Sequence, residues 1–480
     1  MRTWLAVALA LAAAICGFTA GAGLTGSVTG AAAFAAVAAA FTGVLAYRHP
    51  PVVLDARAAG PGLKLLGGAT SALALVQLAR LAVFTVAPAH AGWSWMPWSD
   101  WEVRHSCLTA YYVAADAVDN QPNVYDDVLY SLPDTDPTGP RKPRMLGPFR
   151  VDVYEYPPPF LLLPQALMLV TPDFEHLRIV WFALNCSVVL AALLVVTRSL
   201  GPTLGTRALL LSPLALVAFP VVSMLQKGNV QAMVIGASML AMVLFERRRD
   251  WAGGALLAFV TASKLYPGLL IVYLLARRQW RAVAWTAVFG VGFALVTLAL
   301  LGWEPYAAFL DHLPGLLGGE SFPAFRNPVA RAINYSIPGL VFKLGLFGVP
   351  GMSFGAAKIV GWIYTLIALA VVYMLARHTL STAEAPLVWL AIIILATLRS
   401  PFLPQGYGGF PALWLLTLLA ASYPTTAKTL GLTLLAWIAL NVYWPMDWPV
   451  EPRWLALASG VPQAMTIVLA VLGLRHRPAG

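Results

Sequence analysis

Three places in this 480-residue chain set reactive side chains among apolar ones. Asp100 stands in Pro97-Trp98-Ser99-Asp100-Trp101, just beyond an apolar run. A carboxylate held among aromatic neighbours at a membrane surface suits a general base acting on a hydroxyl. A solvated loop acid, or a helix N-cap ahead of Trp101, is the plainer alternative. Glu102, His105 and Asp116 are its rivals for the role. Lys264, in Ser263-Lys264-Leu265-Tyr266-Pro267, lies between two apolar half-helices. A lysine there is costly and marks a functional site by default; with Tyr266 it suits the phosphate of an anionic lipid. The alternative is a lysine that merely snorkels to the interface. The third place is Gln226-Lys227-Gly228-Asn229-Val230-Gln231, a polar turn between two apolar runs. Its amides and Lys227 fit sugar hydroxyls or phosphate, or simply make a tight turn. A later polar stretch adds Trp303, Glu304, His312, Arg326, Asn327, Arg331, Asn334 and Ser336, with Arg326 and Arg331 as a second phosphate grip. P-loop, zinc-ligand and Ser-His-Asp spacings are absent from the sequence. Cys16, Cys107 and Cys186 are too far apart to imply a metal site or a disulfide framework. No cofactor is expected, and divalent-metal dependence stays open.

The elements that position these residues follow from composition. The chain is 59% hydrophobic and 11% charged, with a mean hydropathy of +0.74. Soluble domains carry roughly 25% charged residues. Runs of about 20 apolar residues recur, the length that crosses a hydrocarbon core as helix. Backbone groups in lipid must be satisfied within the segment, so an all-α polytopic integral membrane protein is expected, with about 12–14 transmembrane helices. Candidate spans are 3–23, 28–47, 64–88, 177–198, 207–225, 229–246, 281–302, 352–377, 385–400, 408–425, 427–445 and 455–475. The first reads as a retained signal-anchor helix. The stretch 251–276 reads as a pair of short helices turning near Lys264 and Pro267. The segment 157–171 is half-length, re-entrant or broken at Pro164.

The net charge of +10 belongs to topology rather than to nucleic acid. Basic residues cluster at span ends, as in Arg247-Arg248-Arg249 and Arg277-Arg278, the pattern of cytoplasmic loops. With both termini cytoplasmic in a multi-pass cell-membrane protein, the polar stretches 89–156, 303–351, 399–407 and 446–454 all face the extracytoplasmic side. The first holds ten of the 21 acidic residues and opens on Trp93, Trp95, Trp98 and Trp101, an interfacial belt. So long a loop among short turns is more often functional than filler.

One further pattern runs in order along the chain. An acid follows an early span. Then come Ala114-Ala115, Val124-Tyr125-Asp126, Tyr156-Pro157-Pro158, the Gly228-Asn229-Val230-Gln231 turn, Lys264-Leu265-Tyr266-Pro267, Tyr273-Leu274-Leu275 with Arg277-Arg278, and Asn334-Tyr335-Ser336. The chain resembles the GT-C glycosyltransferases of the family 87 type over roughly residues 64–425, with 64–480 as a GT-C-like core and 1–63 as two additional N-terminal helices. The resemblance implies a polyprenyl-phosphate sugar donor of the mannose or arabinofuranose class, a lipid-linked or glycan acceptor, and inverting transfer outside the cytoplasm. A loop aspartate serves that family as base, which carries over to Asp100, and the donor phosphate carries over to Lys264. Tyr266, Lys227, Arg326 and Arg331 join the phosphate site; Asn229, Gln231, Tyr156, Glu155, His312, Asn334 and Gln405 are the sugar and acceptor contacts. Two departures stand out. Asp100 lies about ten residues before Tyr111-Tyr112, farther than the family's acid. The late turn reads Arg399-Ser400-Pro401-Phe402-Leu403-Pro404-Gln405-Gly406-Tyr407, without the family's Trp and following polar or His residue. The competing classes are a transporter or flippase without transfer chemistry, and a non-catalytic assembly subunit. No clear internal repeat favours the transporter.

Overall fold

The computed structural model describes residues 1–133 and 141–476; Asp134 and Asp136 of the long loop, and Arg477, lie outside them. Apolar runs become helices throughout. Among the described residues, seven are long and apolar enough to cross a membrane alone: Arg2–Thr25, Val28–Arg48, Pro61–Val86, Phe174–Ser199, Trp280–Leu301, Phe354–Ala376 and Pro452–Arg475. The helices Gly201–Leu216 and Phe219–Lys227 together have the length and apolarity of an eighth span, bent by 62° where Pro213 and Pro220 interrupt the hydrogen-bond ladder. Shorter apolar helices cover the other expected spans: Gln231–Glu246, Ala385–Leu398 and Ala427–Leu440. The helix Gln405–Ser422 lies beside them in the interior. The half-length segment is a 3₁₀ turn, Pro158–Leu161, running into the short helix Leu162–Met168.

Burial sorts these helices. Ala385–Leu398 and Gln405–Ser422 are buried on nearly every face, carrying Trp389 and Trp414 in the core. A helix apolar all round belongs in such an interior. Val28–Arg48, Trp280–Leu301 and Phe354–Ala376 instead leave most of their apolar side chains outward, as lipid-facing helices do. The N-terminal helices Arg2–Thr25 and Val28–Arg48 pack as a close hairpin. A Cβ at Gly17 would stand 2.8 Å from both the Ala38 Cβ and the Phe34 carbonyl oxygen, so only glycine permits the approach.

The short pair around Lys264 is Asp250–Ser263 and Gly268–Ala276. Its two outer ends meet the same side: Arg281 Nε is 3.5 Å from Asp250 Oδ2, and Arg277 donates to the His378 carbonyl at 3.1 Å. The chain therefore turns back at Lys264 rather than crossing. Arg207 likewise ties Ala58 and Tyr423 together, with Nε donating at 2.9 Å and a terminal nitrogen at 3.3 Å. These basic ends lie away from the polar loops, which gather at the opposite end of the bundle. There Tyr335 N donates to Leu403 O at 2.8 Å, and Ser99 Oγ donates to Asp447 Oδ1 at 2.7 Å.

Within the first polar loop a small sheet forms, with β1 His105–Ser106, β2 Met145–Leu146 and β3 Phe149–Val151 in the order β1-β3-β2. β1 and β3 run parallel, pairing His105 with Arg150 and Ser106 with Val151. One residue further on, that register makes Cys107 and Asp152 neighbours.

Candidate active site

A cavity of about 860 Å³ opens at the polar end, walled by the first loop, the Lys264 turn, residues 322–333, 399–407 and 442–446. Each wall has a local cause. The helix Phe219–Lys227 stops at Gly228, whose φ of 65° is a left-handed cap natural to glycine. The cap exposes the Gly228 carbonyl to Trp181 Nε1 at 2.8 Å and sets Asn229 beneath Cys107. The helix Asp250–Ser263 ends as Lys264 turns extended, and Pro267 prevents it from resuming at once.

Lys264 lines the cavity with its ammonium nitrogen 5.0 Å from the Tyr156 ring centroid. Among the described residues no carboxylate forms an ion pair with it. Tyr156 is anchored in turn, its hydroxyl 2.8 Å from that of Tyr111. Tyr266 and Gln231 also line the cavity, and the Tyr266 hydroxyl and the Gln231 amide nitrogen are buried without hydrogen-bond partners. Such orphaned groups are rare unless something binds there.

Lys227 faces differently. Its ammonium is 2.9 Å from Glu102 Oε1 and 2.8 Å from Oε2. Glu102 is fully buried and also accepts from Trp95 Nε1 at 2.8 Å, Ser223 Oγ at 3.3 Å and Tyr443 OH at 2.6 Å. Burial raises the Glu102 carboxyl, but the Lys227 charge and hydrogen bond and the Tyr443 and Trp95 donors outweigh it and hold the group below its ordinary range. Both residues line the cavity, where the pair is a structural clasp in its wall. Lys227 is thus already neutralised, unlike Lys264.

Glu155 lines the cavity beside Tyr156. Its Oε2 lies 2.8 Å from His312 Nε2, while Oε1 is buried without a partner. Burial lifts its carboxyl to about 6, against the lowering effect of His312. A carboxyl oriented by one imidazole, with its other oxygen free, has the form of a general acid or base. His312 stands behind the wall, stacked on Tyr125 at 4.9 Å between ring centroids.

Asp152, not singled out by sequence, also lines the cavity. Its Oδ2 lies 3.7 Å from His105 Nε2. His105 further contacts the Tyr407 hydroxyl at 3.0 Å and the Cys107 sulfur at 3.6 Å. Burial depresses the His105 imidazole to about 4, so it is neutral at physiological pH. Burial pushes the Cys107 thiol up to about 12, which removes any free-thiolate nucleophile.

Several expected residues are elsewhere. Asp100 does not line the cavity; its carboxylate bridges Arg104 at 2.8 Å and Arg150 at 2.6 Å, half exposed. The helix Asp100–Arg104 turns Glu102 inward and Asp100 outward. Asp116 is exposed on the helix Leu108–Ala117. Arg331 donates to the Phe325 carbonyl at 2.5 Å outside the lining, whereas Arg326 lines the cavity. Asn334 is a bracket: it donates to Pro401 O at 2.8 Å and accepts from Leu403 N at 3.1 Å. Gln405 lines the cavity but gives its amide to the Leu440 carbonyl at 2.9 Å.

The sequence profile of glycosyltransferase family 87 matches residues 154–401. The chain belongs to that family. It is a membrane glycosyltransferase, which decides against the transporter reading. It is similar to the alpha-(1->3)-arabinofuranosyltransferase of Mycobacterium tuberculosis, 25% identical over 349 residues, covering 68% of this chain and 75% of that protein. It is also similar to a polyprenol-phosphate-mannose-dependent alpha-(1-2)-phosphatidylinositol pentamannoside mannosyltransferase of the same species. There identity is 25% over 197 residues, covering 40% of this chain and 43% of the relative. No solved structure matches the chain. The family match begins at Tyr154, so it includes Glu155, Tyr156 and Lys264 but not Asp100, His105, Cys107 or Asp152.

Proposed function

We propose that this glycosyltransferase moves a mannose- or arabinofuranose-class sugar from a polyprenyl-phosphate donor to a hydroxyl of a lipid-linked or glycan acceptor. The reaction takes place at the extracytoplasmic face of the cell membrane, with inversion. The observation that carries this reading is the unpaired Lys264 ammonium over Tyr156, in a cavity also lined by Glu155, one of whose carboxylate oxygens has no hydrogen-bond partner. A phosphate leaving group needs a fixed cation and excluded water, and a sugar hydroxyl needs a carboxylate within reach.

Glu155 takes the proton of the acceptor hydroxyl as its oxygen attacks the anomeric carbon. The bond from that carbon to the phosphate oxygen breaks, and its electron pair leaves with the polyprenyl phosphate. Lys264 and Arg326 meet that negative charge. Tyr266 and Gln231 offer the hydrogen bonds that a bound sugar or phosphate would complete. The base is thereby moved from Asp100 to Glu155, because Asp100 is held by two arginines outside the cavity.

Purified protein in detergent, offered polyprenyl-phosphate mannose and polyprenyl-phosphate arabinofuranose with a labelled glycan acceptor, tests the reading. Transfer from one donor, lost in Glu155→Gln, is expected. Transfer from a nucleotide sugar alone would sink the donor assignment.

A further inference from the structure

We infer that His105, Cys107 and Asp152 form a binding site for a zinc-class divalent cation in the cavity wall, with one coordination position open toward the cavity. Its catalytic use rests on the donor reading above: an oxygen of the donor phosphate would take the open position. The cation site itself rests on geometry alone.

His105 Nε2 lies 3.6 Å from Cys107 Sγ and 3.7 Å from Asp152 Oδ2, and all three ligand atoms lie within 4.8 Å of one another. Tetrahedral zinc, with bonds of roughly 2.0–2.3 Å, sets neighbouring ligand atoms roughly 3.3–3.6 Å apart. The side chains thus need only small rotations to close on one ion. An imidazole nitrogen, a thiolate and a carboxylate form a mixed donor set that suits zinc better than magnesium or calcium. Two anionic ligands would neutralise a divalent ion.

The surroundings fit a metal thiolate. The Asn229 amide donates toward Cys107 Sγ at 3.2 Å, the kind of N–H contact that supports a thiolate ligand. The Trp101 ring stacks on His105 at 4.7 Å between centroids and fixes the imidazole plane. The Tyr407 hydroxyl lies 3.0 Å from both His105 Nε2 and Cys107 Sγ and ties the two ligand atoms together. His105 and Asp152 face the same cavity as Lys264. Three protein ligands with one position left to a substrate is the arrangement of catalytic rather than structural zinc.

Protein purified through a histidine-free tag, stripped by chelator and then titrated with zinc chloride tests the site. One zinc per chain should survive desalting, and cobalt in its place should give a sulfur-to-cobalt charge-transfer absorption. Cys107→Ala should lose both signals, and Asp152→Asn should weaken zinc binding by at least roughly tenfold. Zinc should also raise the melting temperature of the wild type but not of Cys107→Ala, which separates lost binding from lost folding. Zinc retained equally by wild type and Cys107→Ala, or by neither, overturns the site. None of these readings uses the transfer assay. Zinc binding without transfer from either polyprenyl-phosphate donor would instead count against the donor reading and leave the site standing.

Discussion

Lys227 places its ammonium 2.9 Å and 2.8 Å from the two oxygens of Glu102, at a depth where the carboxylate is fully buried. Breaking such a pair leaves an uncompensated buried charge, at a cost of roughly 3–5 kcal/mol. Lys227→Met and Glu102→Leu should each lower the melting temperature of the purified protein sharply. The double substitution should recover part of the loss, since neither charge is then orphaned. The Glu102 carboxyl is held below its ordinary range, so its contribution is present at neutral pH and is lost on acidification through that depressed pKa. Single variants as stable as wild type would show that the clasp carries no weight.

Glu155 is expected to give the pH profile. Its carboxyl titrates at about 6, raised by burial, so the base is lost as pH falls through that value. Glu155→Gln should slow transfer by roughly 10²–10⁴-fold, the usual worth of a positioned base. His312→Ala removes a group that lowers the Glu155 pKa, and so should move the acid limb of kcat/KM to higher pH. The fold responds with the opposite sign. The acid form is favoured when folded, so this stabilisation is present below the ordinary carboxyl range and is lost as pH rises through about 6. An unshifted limb in His312→Ala would remove the dyad from the mechanism.

Asp100→Asn, by contrast, should keep transfer within a few-fold of wild type. The carboxylate is half exposed and held by Arg104 and Arg150, and exposed ion pairs contribute at most about 1 kcal/mol. A loss comparable to that of Glu155→Gln would return the role of base to Asp100.

The contrast between Asp100 and Asp152 marks where sequence reading ends. The spans were legible because lipid dictates them: the apolar run 177–198 became Phe174–Ser199, and 281–302 became Trp280–Leu301. The Lys264 turn was legible too, since a charge and a proline between half-length helices have few places to go. The first loop obeys no such rule. Asp100 and Glu102 differ by two residues, yet a five-residue helix sends one out and one in. Cys107 and Asp152 lie 45 positions apart, and only the parallel register of β1 and β3 brings them together. An alternating acid-aromatic stretch ahead of Tyr156-Pro157-Pro158 was the one local hint of Asp152 and Glu155.

Topology can be read at Val128, which is 72% exposed in the first polar loop. The basic clusters lie at the other end of the bundle, and cytoplasmic loops are the basic ones. Val128→Cys should react with a membrane-impermeant maleimide in intact cells. Labelling only after lysis would put the cavity on the cytoplasmic side and end the proposal of extracytoplasmic transfer.

The remaining prediction concerns Lys264. Its helix ends there, its chain turns back because Arg281 and Arg277 return to the side of Asp250 and His378, and its ammonium is left facing the cavity. Tyr156 offers it only a ring face at 5.0 Å, an interaction worth about 0.5–2 kcal/mol. That is weak compensation for a charge held beside two apolar helices, which is why the donor phosphate is the partner proposed for it. A phosphate would meet it as a charge-assisted hydrogen bond, stronger than the ring contact it already has. Lys264→Met preserves length and apolar volume but removes the charge. It should leave the melting temperature near that of wild type, because no carboxylate is orphaned, while raising the donor KM and lowering kcat together. Lys264→Arg should restore part of both, since the charge returns in a bulkier, planar form. A Lys264→Met enzyme that binds and uses the polyprenyl-phosphate donor as well as wild type would reduce Lys264 to a side chain that snorkels toward the interface.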